Sequence, residues 1–135
     1  MRLLVWLAVM LTPIAAFAVI KYNKIQIVTA GSMGASLNST PVDITNYDNV
    51  NIQAVWTGIT GSSGSGTFKL QASNDLAGCA SVTTWTDQSG TSQAISADGD
   101  FMWNLIGQGY RCIRLVYTRA AGTGTLNVVL SGKGL

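Results

Sequence analysis

The chain has 135 residues, enough for one domain with a real core and too few for two. Only 10% of residues are charged, every acid is an Asp, and the net charge of +2 is too small for the clustered basic face that nucleic-acid binding needs. With no histidine, Ser-His-Asp and Cys-His nucleophiles and imidazole metal sites are excluded.

Fifteen glycines and many Ser, Thr and Asn residues form the polar complement, and with no Glu and only four Lys the chain lacks what good surface helices need. That composition predicts short strands joined by turns. At the start, residues 1–18 read as an export signal. Arg2 supplies the positive end, Leu3 to Leu11 is apolar, Pro13 breaks the helix, and Ala16-Phe17-Ala18 has the small-x-small cleavage pattern. The other reading is a retained hydrophobic anchor, because the apolar run from Leu3 to Ile20 is about the minimum that spans a bilayer, though Thr12 and Pro13 interrupt it.

Residues 19–135 then read as one domain. Lys24-Ile25-Gln26-Ile27-Val28 alternates as a half-buried strand does, and Pro41 to Thr45 forms a second after a loop of Gly, Ser and Asn. Asn38-Ser39-Thr40 in that loop fits the glycosylation acceptor pattern, which arises often by chance. Ile52, Ala54 and Trp56 alternate with polar neighbours, as do Phe68, Leu70 and Ala72. The Gly-Ser stretch between them, Gly58 to Gly66, reads as a hairpin loop. Ser73-Asn74-Asp75 ends the second of these strands, since Asn and Asp bond their own backbone in turns. Trp85 then returns a large apolar side chain to the core edge, among wet Thr84, Thr86 and Asp87.

Further along, Phe101, Trp103 and Leu105 share a face, and Tyr110 to Thr118 is the strongest strand of all. A last strand puts Leu126, Val128 and Leu130 together. About eight strands so spaced predict an all-β antiparallel sandwich, preceded by the hydrophobic signal helix. Trp56, Phe68, Leu70, Trp85, Ile113 and Leu115 are its expected core.

Cys79 and Cys112 allow a single intramolecular bridge, which an exported protein would form; two free buried thiols are the alternative. The six Asp residues stand mostly at turns, so paired-carboxylate catalysis is not expected. Asp98-Gly99-Asp100 could share a calcium ion with loop carbonyls, but two acids in a bare turn are too few, and no metal or cofactor is expected. Tyr110, Arg111, Arg114 and Arg119 are the candidate binding or interface residues. The arginines read as edge or face charges that discourage aggregation, with an anionic ligand site as the alternative.

The segments "NIQAVWTG", "GTFKLQASND", "WTD" and "GYRCIRLVYTRAAGTGTLNV", spread over Asn51 to Gly134, resemble a group of short β-sandwich proteins of phage and prophage genomes. A strand ending in Ser-Asn-Asp before a Trp, followed by a Tyr-Arg strand, also resembles discoidin-like (galactose-binding-like) jelly rolls. The resemblance implies a jelly-roll-like sandwich and a virion-associated structural role without catalysis. This chain departs from it in an insertion, Ala77 to Thr84, that holds Cys79, and in Cys112, where an apolar or aromatic residue is usual. One bridge accounts for both. Alternation puts Cys112 on the face of Tyr110 and Arg114, opposite Ile113 and Leu115, so the bridge should lie on an outer face.

Two functions follow as expectations. The first is an exported, non-catalytic structural or assembly module, secreted, periplasmic or at a virion surface, forming homo-oligomers or joining a larger assembly. The second is a secreted lectin-like module whose loops bind glycan. In either case a membrane is met only through an uncleaved N-terminal segment.

Overall fold

The computed structural model of the protein describes residues 22–60 and 65–134. The expected signal helix, residues 1–18, lies outside the described residues, as do residues 61–64 of the Gly-Ser stretch. Ten strands run in chain order: β1 (Tyr22–Ser32), β2 (Leu37–Asn38), β3 (Val42–Asp43), β4 (Tyr47–Thr60), β5 (Gly66–Ser73), β6 (Thr86–Asp87), β7 (Gln93–Ile95), β8 (Gly99–Ile106), β9 (Cys112–Arg119) and β10 (Thr123–Gly134). The helical content among the described residues is a short 3-10 turn, Cys79–Ser81. No helix there is long and apolar enough to cross a membrane.

The strands form two antiparallel sheets. The first has the order β1-β10-β4-β8, and the second the order β2-β9-β5-β6, with β3 also on β9 and β7 also on β5. Since β2 and β3 lie along one side of β9, and β6 and β7 along one side of β5, each pair fills the place of one interrupted strand. Eight strand positions remain, and the chain changes sheet at each step except between β5 and β6, which is the path of a jelly roll. The break between β2 and β3 has a local cause. Pro41 cannot donate to a ladder, and Ser39 bridges the gap: its N–H donates to the Leu115 carbonyl (2.8 Å) while its Oγ accepts from the Leu115 N–H (2.9 Å).

One expectation is corrected by this path. The segments flanking the Gly-Ser stretch are not a hairpin, because β4 belongs to the first sheet and β5 to the second. Their apolar faces meet across the core instead of lying side by side. Ile52, Ala54 and Trp56 project from β4 toward Phe68 and Leu70 of β5, and all are buried. Alternation is equally compatible with both arrangements, since it fixes only which residues share a face.

Phe68 is the meeting point of the two layers. Its ring centroid lies 5.1 Å from Trp56, 5.3 Å from Tyr117 and 6.4 Å edge-on from Trp103. The polar ends of these rings each find a backbone carbonyl: Trp56 Nε1 donates to Ala97 (2.6 Å), Trp103 Nε1 to Thr91 (2.8 Å) and Tyr117 Oη to Ser65 (2.7 Å). The cluster therefore fixes the loop ahead of β8 as well as the core. Ile113 and Leu115 of β9 and Leu126, Val128 and Leu130 of β10 complete it, all fully buried.

Space is tight where the chain enters β5. A Cβ on Gly66 would meet the Thr118 carbonyl oxygen and, at 2.6 Å, Cε2 of the buried Tyr117 ring. Neither can move without breaking the β5–β9 ladder or the Tyr117 hydrogen bond. Gly66→Ala should therefore destabilise the fold by about 1–3 kcal/mol, the usual cost of overpacking. Urea denaturation checks this, with Gly78→Ala as a comparison, since that glycine has an ordinary φ of -58° and its added Cβ would meet nothing within 4 Å.

Candidate functional site

The stretch from Asn74 to Gln88 departs most from regular structure, and its geometry follows from its sequence. The Asp75 N–H donates to Ser73 Oγ and the Ala77 N–H to Asp75 Oδ1, both at 3.1 Å, so two side chains make the turn that the sequence predicts. The chain then reaches Cys79, which is bonded to Cys112 with Cα atoms 5.5 Å apart. Cys112 begins β9, opposite Ser73 of β5 and Asp43 of β3, so the bond anchors the loop to the middle of the second sheet. As alternation predicts, Cys112 shares the outer face of β9 with Arg114, whereas Ile113 and Leu115 point into the core; Tyr110, expected on that outer face, precedes the strand and packs against the core cluster instead. Cys112 is nonetheless fully buried.

Trp85 does not return to the core edge. It lies half-buried over the outer face of the second sheet, with Arg114 Cζ 4.3 Å from its ring centroid and its Nε1 donating to the Val82 carbonyl (3.2 Å). The physical reason is the bridge: once Cys79 is tied to the outer side of β9, the residues that follow are delivered to that side. The core holds the other expected members, Trp56, Phe68, Leu70, Ile113 and Leu115.

A chain of polar contacts extends from the stacked pair. Arg114 Nε and Nη2 both donate to Gln71 Oε1 (2.9 and 2.7 Å), and Gln71 Nε2 donates to Asp87 Oδ1 (2.7 Å). Lys69 Nζ closes the series on Asp87 Oδ2 at 2.6 Å. These hydrogen bonds from Lys69 and Gln71 hold the Asp87 carboxyl below the usual carboxylate range. Partial burial of Arg114 pulls its guanidinium down from its ordinary value. The arrangement clamps the loop and leaves Arg114 committed to protein partners.

At the end of the sandwich where β9 begins, the turn after β3, the segment before β9 and Asn74 enclose an open cleft of about 640 Å³. Arg111 crosslinks its walls. Nε meets Asp43 Oδ2 (3.2 Å), Nη1 donates to the Leu76 carbonyl (3.0 Å), and its backbone N–H donates to Asn74 Oδ1 (2.8 Å). Asp43 also accepts from Thr45 Oγ1 (2.6 Å) and the Thr45 N–H (3.0 Å), which, ahead of Arg111, hold its carboxyl below the ordinary value. Asn46 and Gln108 add amides to the lining, and half-buried Tyr110 lines both this cleft and a smaller hollow beside Thr86 and Gln88. With Asp43 and Arg111 paired, the lining offers neutral hydrogen-bonding groups and one aromatic ring.

The structure does not gather the arginines into one site. Arg111 stands at the cleft, Arg114 on the sheet face, and exposed Arg119 at the far end of β9, its Nε on the Gly122 carbonyl (3.0 Å). Arg114 and Arg119 are not edge charges, because β9 is an interior strand; Arg114 is a face charge. Asp98 is engaged as well. Its carboxylate accepts from the Ile59 N–H (2.7 Å) and the Gly58 N–H (3.0 Å), which hold it below the usual range and anchor the end of β4. The sequence reading missed Asn74, Gln71, Asp87 and Asp43 as contributors. Only Asp43-x-Thr45 carries a local signal, a short side-chain turn; the others depend on register between strands distant in sequence.

No protein-family model and no curated protein matches the chain. Among solved structures it is similar to the SPBc2 prophage-derived protein YomS, at 9% identity and a TM-score of 0.57, over 86% of this chain and 97% of that one. It also matches a chain of the disulfide-linked pili of Bacillus endospore appendages, at 11% identity and a TM-score of 0.37, over 92% of this chain and 100% of that one. At such identity the likeness to the prophage-derived protein is one of fold.

The Cys79–Cys112 bond closes a loop with a sequence separation of 33, which by chain entropy stabilises by about 3–4 kcal/mol. The double variant Cys79→Ala, Cys112→Ala should lose about that much in urea denaturation. Its Trp85 emission should move toward that of a solvated indole, with the core aromatics unchanged in near-ultraviolet dichroism.

Proposed function

We propose that the protein is an exported, non-catalytic structural module that assembles through a sheet surface, with copies of itself or on a larger virion or extracellular scaffold. The observation that carries this reading is an apolar patch on and beside β8. On the outer face of β8 Met102 is 53% and Ile106 66% exposed, with Val55 of neighbouring β4 at 38% on the same face. In a chain with so few charges, apolar side chains grouped on one sheet face are the kind of surface that a partner covers. The fold shared with a prophage-derived protein supports the virion end of the reading. The disulfide supports export, because such bonds persist in oxidising compartments and are rare in the cytosol.

The purified protein should sediment as an oligomer at micromolar concentration, and the native protein should be found in particle, periplasmic or extracellular fractions with both thiols oxidised by intact mass. A monomer at all concentrations, found with free thiols in the cytosol, would falsify the proposal.

A second reading is favoured by the cleft at the end of the sandwich. Amides of Asn46, Asn74 and Gln108 beside the Tyr110 ring, with the nearby charges paired, suit a neutral polyhydroxylated ligand such as a glycan. Titration with neutral oligosaccharides should shift the side-chain amide resonances of these three residues, and Tyr110→Ala should abolish the response. Resonances that stay in place across the whole panel would remove this reading.

A further inference from the structure

Exposed sheet edges are ordinarily blunted, by short strands, bulges, Lys or Pro. Three of the four edges here follow that rule. In the second sheet the edge positions are held by strands of two or three residues, β2 and β3 on one side and β6 and β7 on the other. In the first sheet β1 has two breaks of register against β10, a positive φ of 46° at Ala30, and Lys24. The fourth edge, β8, differs. It runs for eight residues, Gly99–Ile106, in unbroken register with β4, and contains no Lys, Arg or Pro.

The direction of its backbone groups can be read from one bond. The Gly107 N–H donates to the Asp48 carbonyl (3.1 Å), so Asn49 and Ile106 are a non-hydrogen-bonded pair of the β4–β8 ladder. By alternation, the N–H and C=O groups of Asp100, Met102, Asn104 and Ile106 point away from β4 to the open side. Among the described residues, only the Ile106 carbonyl has a partner there, Gln108 Nε2 at 3.0 Å.

We infer that two copies of this chain pair antiparallel through β8, about a twofold axis at Trp103, joining their first sheets into one eight-stranded sheet. The inference rests on the assembly reading and names its contact. A second copy is the occupant because β8 is complementary to itself in this register. Met102 falls opposite Asn104 of the partner subunit, and Asp100 opposite Ile106 of the partner subunit. These are the residues whose backbone groups point outward on both strands, so each can exchange hydrogen bonds. The two Asp100 carboxylates fall at opposite ends of the ladder and never face each other. Met102 and Ile106, exposed in the single chain, gain cross-strand neighbours on the outer face.

Hydrogen exchange on the intact, oxidised protein tests the contact together with sedimentation. The amides of Asp100, Met102, Asn104 and Ile106 should exchange quickly in dilute solution and become protected, at least tenfold, over the concentration range in which dimers appear. The variant Met102→Lys, Asn104→Lys sets lysine against lysine at the two central pairs and should weaken dimerisation at least tenfold with native near-ultraviolet dichroism. Lys24→Ala on β1 should leave it unchanged. If the protein oligomerises while those four amides exchange as fast as in dilute solution, the β8 contact is wrong and assembly proceeds through another surface. If no oligomer forms at any concentration, the contact and the assembly reading fail together.

Discussion

The burial of Phe68 between two sheets is the interaction on which the rest of the molecule depends. The ring stands on β5 and touches Trp56 and Trp103 of the opposite layer and Tyr117 of its own. Aromatic rings bury more area per residue than any other side chain, so a small sandwich gains most from placing several at its centre. Each polar ring here also reaches a carbonyl in a connecting segment. The same residues therefore hold the layers together and set the positions of the loops around them.

Much of this was legible in the sequence, because alternation in a strand states which residues share a face. Ile52, Ala54 and Trp56, Phe68 and Leu70, and Ile113 and Leu115 lie in the core as their spacing implies. The disulfide and its outer-face position were legible too, since Cys112 is out of phase with its apolar neighbours. What alternation does not state is which strand lies beside which. For that reason β4 and β5 looked like a hairpin, and the two-residue strands β2 and β6 were not foreseen at all. A two-residue strand has no period of its own and exists only because β9 or β5 offers it a partner.

Trp85 shows how a covalent constraint outweighs composition. A lone large indole among polar residues belongs in a core by hydrophobicity alone, and here the route to the core is closed by a bond six residues upstream. The indole instead covers the guanidinium of Arg114, which two hydrogen bonds to Gln71 hold in place. The result is a capped outer face on the second sheet, while the first sheet is left with Met102 and Ile106 uncovered. The two faces thus differ in kind: among the described residues, one is closed by the chain's own loop and the other keeps apolar side chains exposed.

The position of β10 has a consequence for the order in which the molecule can be completed. Within the first sheet β1 pairs with β10 alone, and β10 separates it from β4. A nascent chain that has not yet released residues 123–134 from the ribosome therefore has no ladder to offer its first strand. The cysteines and every strand of the second sheet precede β10 in the chain, so the first sheet is the layer completed last. Closure must span about a hundred residues of contour, the kind of long-range step that makes all-strand proteins slow to fold.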